Sequence, residues 1–221
     1  RLQKMPHLLE LFCGGKSISK VFEQSGWTCT TLDFDPKMQP TICCNILDLT
    51  PEMILKHGKP NAIWGSPLCT QYSCARTNAK TPRDLEGSDK LVQKVFDLAK
   101  YFDVPWFMEN PHSGLLKSRD VVKGIPMRVI DYCCYADDDW PGRYRKRTSI
   151  WTNTEWRPER PLCVRSTCHF CSNGKKHDHI AQQRARDGTP KQKLKQLYSI
   201  PSALPSELVN WLGTNLALND E

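Results

Sequence analysis

His7-Leu-Leu-Glu-Leu-Phe-Cys-Gly-Gly-Lys-Ser17 decides the fold. His7–Phe12 is apolar apart from His7 and Glu10 and reads as a buried strand. Cys13-Gly14-Gly15 breaks it, and Ser17–Ser25 follows with helical character. A strand passing through glycines into a helix lets the backbone approach a nucleotide-like ligand at an electropositive helix end. Outward from this motif, Thr28–Leu32 reads as a second strand ending at Asp33. That carboxylate lies about 20 residues past the glycine turn, where it can bind both hydroxyls of a ribose. Ala62–Gly65, Trp106–Met108, Met127–Cys134 and Thr148–Trp151 read as further strands. Leu91, Val95, Leu98 and Phe102, with Val92, Phe96 and Ala99 beside them, have helical spacing and predict one buried stripe. Strand and helix alternating in this way predict an α/β fold, a mostly parallel sheet covered on both faces. Ligands of such sheets sit beyond the carboxyl ends of the strands. The informative polar residues are therefore Cys13–Ser17, Asp33–Asp35, Asp48, Pro67–Ser73 and Glu109–Asn110.

The chain has 221 residues, 39% hydrophobic and 25% charged, which suits a globular protein with a full core. It contains no apolar run of the length a membrane helix needs, so no membrane partner is expected. Arg1–Phe12 lacks the pattern of a secretory signal, which predicts an intracellular protein. Lys and Arg number 31 against 24 Asp and Glu, a net charge of +7 that favours an anionic partner. Much of the excess lies late, from Arg143 to Arg147 and again from Lys175 to Lys195. Eleven cysteines, an odd number, argue against a disulfide framework and for reduced thiols, a metal site or a catalytic thiol. Cys43–Cys44 and Cys133–Cys134 lie in apolar, strand-like runs and read as inert core thiols.

Gly65-Ser-Pro-Leu-Cys-Thr-Gln-Tyr-Ser73 is the sharpest segment. A strand ends, proline stiffens the turn, and Cys69 is held at the sheet's edge as a nucleophilic thiol would be. Phe107-Met-Glu-Asn-Pro111 brings Glu109 to another strand end. Arg143-Tyr-Arg-Lys-Arg147 places Arg145 and Arg147 at alternate positions, on one face of a strand, suited to a flipped base or its phosphates. From Arg157 to Pro190 the texture becomes basic and Cys/His-rich, with too few aliphatic residues to bury much of a core without a clip. Cys163, Cys168, Cys171 and His177 have spacings that fit a closed tetrahedral zinc site, with His169 or His179 as substitutes for one ligand. Leu204, Leu208, Leu212 and Leu216 return to helical spacing within Leu194–Leu218.

In this order the motifs resemble those of the DNA cytosine-5 methyltransferases, over roughly residues 7 to 151. The wording is most similar to the short enzymes of large DNA viruses and algae. Leu11–Ser17 resembles the family's cofactor loop, Leu32-Asp-Phe-Asp-Pro36 its ribose segment, and Ile46–Thr50 its adenine segment. Ser66–Ser73 resembles its Pro-Cys loop, Met108–Pro111 its Glu-Asn-Val motif, and Arg143–Arg147 its Gln-x-Arg-x-Arg strand. The resemblance implies a Rossmann-like methyltransferase fold with a seven-stranded, mostly parallel sheet and S-adenosylmethionine as cofactor. Its implied substrate is cytosine in double-stranded DNA, with RNA as the alternative because tRNA-modifying members share the motifs. Cys69 would attack C6 of an extruded cytosine as a thiolate favoured by nearby positive charge. Glu109 would hold its N3 and amine, and Arg145 and Arg147 would clamp the base and backbone. Phe12, Gly14 and Gly15 would line the cofactor, Asp33 its ribose, Phe34 and Asp48 its adenine, and Ser66 and Pro67 both ligands. The implied organisation is a catalytic domain at 1–156, a basic Cys/His-rich insert at 157–190 standing for a reduced target-recognition region, and C-terminal helices at 191–221. The implied location is the nucleus or another DNA-containing compartment, or the cytoplasm of a viral or bacterial host. Three residues depart from the family's pattern. Lys16 replaces the second glycine, Leu68 the proline before the nucleophile, and Pro111 the valine. The third class considered, a non-catalytic DNA-binding module, is motivated by Leu68 and Lys16.

Overall fold

The structure, a computed structural model, describes residues 5–76, 79–137, 144–178 and 199–216. Strands β1 (His7–Leu11), β2 (Thr28–Asp33), β3 (Ile42–Cys43), β4 (Ala62–Gly65), β5 (Trp106–Pro111), β6 (Met127–Asp131) and β7 (Arg147–Thr152) form one sheet. Its seven strands run in the order β3-β2-β1-β4-β5-β7-β6. All neighbours are parallel except β7, which is antiparallel to both β5 and β6. Helices α1 (Ser19–Gln24), α2 (Pro51–Leu55), α3 (Leu85–Phe102) and α4 (Ala203–Leu216) complete the fold. This is the methyltransferase-type sheet that the resemblance implies.

Alternate strand residues feed two separate cores. Leu8, Trp64, Phe107 and Ile150 point to one face, where Ile18 and Phe22 from the first helical segment and Leu204, Leu208 and Leu212 of α4 cover them. Leu9, Ile63, Met108 and Trp151 point to the other, under Val92, Val95 and Leu98 of α3 and Ile54 of α2. The predicted α3 stripe is thus the buried one. Asp84 starts α3 by accepting the Gly87 N–H at 2.8 Å, and Asp103 ends it in a left-handed turn at φ 51°.

Several boundaries differ from expectation. The helix after the glycines begins at Ser19, and β5 runs on to Pro111. β6 stops at Asp131, and Tyr132–Cys134 forms a 3-10 turn where a continuous strand was expected. The two-residue β3 carries no periodic signal and was not expected. Phe170 and Trp156, from the basic segment and its approach, are fully buried against the α4 side of the sheet. That segment therefore does contribute to the core. Arg143, His179, Leu194 and Leu218 lie outside the described residues. Among the described residues no helix is long and apolar enough to cross a membrane.

Candidate active site

The carboxyl ends of β1 and β2 build one half of the site. The backbone turns sharply there: Phe12, Gly14 and Lys16 have φ of 58°, 44° and 58°. Lys16, which stands where a glycine was expected, adopts the left-handed backbone that glycine takes without strain. Its ammonium donates to the Gln39 carbonyl at 2.6 Å. Asp33 is buried and ties the loops together. One oxygen accepts the Gly14 N–H at 2.9 Å and the other the Asp35 N–H at 3.0 Å. The Phe34 ring beside it is 61% exposed, and Asp48 is exposed at the end of the 3-10 turn Ile46–Asp48. Glu10 was given no role from sequence. It is buried in β1 and accepts the Ser19 and Ile18 N–H groups at 3.0 and 3.4 Å. Burial pushes its carboxyl up to about 7, against those hydrogen bonds.

The ends of β4 and β5 build the other half. The loop after β4 is fixed at several points. Asn110 donates from Nδ2 to the Pro67 carbonyl at 2.9 Å. Trp64 Nε1 donates to Ser66 Oγ at 2.8 Å. Tyr72, buried, donates to Asp89 at 2.8 Å, and Arg119 grips the same carboxylate at 2.6 Å. Arg83 donates to the Ser73 carbonyl at 2.9 Å. Leu68 projects outward, 47% exposed, while Cys69 is half-buried.

Glu109 lies inside the rim, 6% exposed. Its Oε1 accepts the Tyr132 hydroxyl and the Lys146 ammonium, each at 3.1 Å. Tyr132 stays a neutral donor, because burial and the Glu109 charge push its hydroxyl well above the ordinary range. Cys69 feels both members of the ion pair. Burial pushes its thiol up, Lys146 pulls it down, and Glu109 pushes it up. The net rise corrects the expectation of a thiol lowered by its surroundings, because desolvation outweighs the pull of the Lys146 ammonium.

Arg145 and Arg147 do share one face, as their alternation predicts, but it is the side of Asp131. Arg147 forms a two-pronged pair with that fully buried carboxylate at 3.0 and 2.8 Å. Arg145 Nε lies 3.8 Å from it. The residue between them, Lys146, is the one at Glu109. Sequence reading missed it, although strand alternation alone puts it opposite the arginines.

The Cys/His segment closes on the sheet with a changed ligand set. Cys163, Cys168 and His177 come together with Cys133, their donor atoms all within 4.8 Å of one another. Cys171 lies outside this group and its place is taken by Cys133. The cause is the end of β6 at Asp131, which lets the 3-10 turn carry Cys133 toward the insert. Cys133 is therefore not the isolated core thiol it was expected to be.

Comparison with a curated protein agrees with this geometry. A Frog virus 3 (isolate Goorha) protein named "Probable DNA (cytosine-5)-methyltransferase" is 28% identical over 222 residues, 92% of this chain and 98% of that one. The resemblance to the cytosine-5 methyltransferases is borne out. No family model matches the chain. Similar solved structures include the methyltransferase EhMeth of Entamoeba histolytica, 16% identical with a TM-score of 0.43. That match covers 74% of this chain and 59% of EhMeth. A mutant DNMT2 of Spodoptera frugiperda is 16% identical with a TM-score of 0.42, over 79% of this chain and 54% of that one. The chain thus spans less than two thirds of both solved relatives.

Proposed function

We propose that the protein transfers a methyl group from S-adenosylmethionine to carbon 5 of a cytosine extruded from double-stranded DNA. The observation that carries this reading is the placement of Cys69 in the loop just past β4, beside β5, whose end holds the Glu109–Lys146 pair. The residues around β1 and β2 fit the cofactor. A Cβ built on Gly14 or Gly15 meets open space, so a ligand can lie against that backbone. Phe34 offers an uncovered ring for an adenine, and Asp48 a free carboxylate for its amine. Each Asp33 oxygen accepts one backbone N–H and keeps a lone pair for a ribose hydroxyl. When bound, S-adenosylmethionine supplies an electrophilic methyl group.

The chain's own residues then have distinct tasks. Cys69 loses its proton to water, and its sulfur bonds to C6 of the cytosine, pushing the C5–C6 electron pair onto C5. Glu109 accepts from the exocyclic amine and, carrying a proton, donates it to N3, so the negative charge that sulfur addition pushes into the ring is met by a proton at a fixed position. Tyr132 and Lys146 keep Glu109 from turning away. Once C5 carries the methyl, loss of the C5 proton to solvent lets the C6–S bond break and returns the Cys69 thiolate. Arg145, only loosely paired, is available to flanking phosphate, and the basic segment 157–190 to the rest of the duplex. Pro67 and Ser66 shape the wall between the two ligands.

The preference for DNA rests on the basic excess and on the name of the viral relative. The test is methyl incorporation into duplex DNA and into tRNA, with bisulfite sequencing of the DNA product. Cytosine methylation of DNA, lost in Cys69→Ser, supports the reading, as does a covalent complex with 5-fluorocytosine duplex. Methylation of tRNA alone would reassign the substrate. DNA binding unchanged by Cys69→Ser, with neither product nor covalent complex, would make the protein a binding module.

A further inference from the structure

Four donor groups meet where the basic segment touches the sheet, and methyl transfer uses none of them. His177 Nε2 lies 3.5 Å from Cys163 Sγ and 3.4 Å from Cys168 Sγ. Zinc bonds of about 2.3 Å to sulfur and about 2.0–2.1 Å to nitrogen put those two atoms about 3.5 Å apart along a tetrahedral edge. Cys133 and His177 are 1% and 6% exposed, so the group is nearly closed to water, as structural zinc sites are. Borderline-soft thiolate and imidazole donors in this number favour zinc over hard cations.

We propose that Cys133, Cys163, Cys168 and His177 hold a zinc ion that clips the Cys/His segment to the catalytic sheet. Binding releases three thiol protons to solvent and leaves a site of net charge −1. The clip reaches the active site through one tripeptide. Asp131 accepts the Cys163 N–H at 3.0 Å and holds Arg147. Tyr132 holds Glu109. Cys133, the next residue, ligates the ion. The ion therefore fixes the turn that positions Glu109. The ligand set stands without the methyltransferase reading, and the positioning role rests on it.

The test uses the full chain purified under reducing conditions without added metal. Elemental analysis should find about one zinc per chain. After dialysis against a competing chelator, Cys133→Ser should fall below a tenth of an equivalent while Cys171→Ser keeps the ion. Cobalt(II) added to zinc-stripped wild type should give the intense visible bands of a tetrahedral thiolate site at one equivalent. That measurement also decides the matter if Cys133→Ser proves insoluble. Hydrogen exchange at the 131–134 backbone should speed up at least tenfold on zinc removal and reverse on its return. Zinc below a tenth of an equivalent in wild type overturns the site, as does weak octahedral cobalt absorption. Loss of zinc in Cys171→Ser but not in Cys133→Ser overturns the ligand set. Unchanged exchange with the ion removed overturns the positioning role and leaves the site standing. A failure of methyl transfer touches none of the metal measurements.

Discussion

Tyr132→Phe removes a single oxygen atom and tests whether Glu109 is held by its surroundings. The Tyr132 hydroxyl is buried and donates to Glu109 Oε1 at 3.1 Å. A hydrogen bond to a charged group is worth about 1.5–3 kcal/mol. If that energy is spent on keeping the carboxylate aimed at the cytosine, its loss lowers the rate about 10- to 100-fold. The ring remains, so packing is kept, and the stability cost should be about 1–2 kcal/mol, or about 3–6 °C in Tm for a chain of this size. The assay is incorporation of labelled methyl into duplex DNA over a range of DNA concentrations. A positioning residue that never touches the substrate should lower kcat and leave KM for DNA within about twofold. In a Glu109→Gln background the same change should cost less than half as much stability, because the charged partner is gone. Tyr132→Phe with more than half of wild-type kcat/KM, beside an inactive Glu109→Gln, would refute the reasoning.

Lys146→Met removes the cation that draws the Cys69 thiol down. Its alkylation by iodoacetamide at pH 7.5 should slow, and the alkaline rise of kcat/KM should move to higher pH. Glu109→Gln should speed alkylation while abolishing methyl transfer, and a shift of the two variants in the same direction would contradict the geometry. In wild type the thiol lies above its ordinary value, so the alkylation rate should still be climbing at about pH 8.5. Glu10 is raised from 4.5 to about 7, so the folded state holds its proton more tightly than the unfolded chain does. The resulting stability is complete below about pH 4.5 and is lost as pH rises through about 7, worth about 3 kcal/mol in all. Plots of Tm against pH should show this decline in wild type and a flatter profile across that interval in Glu10→Gln. Asp33→Asn keeps one acceptor oxygen and loses the other. Calorimetry should show S-adenosylhomocysteine bound at least tenfold more weakly, with DNA affinity unchanged.

Much of the site was legible because strand ends carry their own punctuation. Gly14 and Gly15, Asp33, Pro67 and Asn110 each stand at or just past the end of a strand-like run, and a parallel sheet gathers such positions on one rim. The buried face of α3 was legible from spacing alone. Lys146 was not, because a cationic triplet says nothing of which member faces inward. That follows from the pairing of β7 with β5, where Glu109 lies opposite Ile150. Cys133 was missed because Met127–Cys134, despite Arg128 and Asp131, is rich enough in Val, Ile, Tyr and Cys to pass as one strand. Nothing in those side chains announces that the ladder ends at Asp131. The effect of desolvation on Cys69 was equally invisible, since it depends on atoms brought from other strands.

The run Arg145-Lys146-Arg147 is electrostatically degenerate. Shifted by one residue, it would still present a cation to Glu109 and another to Asp131, so the two carboxylates cannot tell the right alignment from the wrong one. The decision falls to neighbours that carry no charge. Ile150 and Trp151 enter opposite cores, and a slip would put either Trp151 in the place of Ile150 with Thr152 in its own, or Ile150 in the place of Trp151 with Ser149 in its own. The meeting of Lys146 with Glu109 ahead of β7 is thus enforced by steric mismatch farther along the strand, and a substitution that evened out those two volumes would loosen that ion pair without touching it.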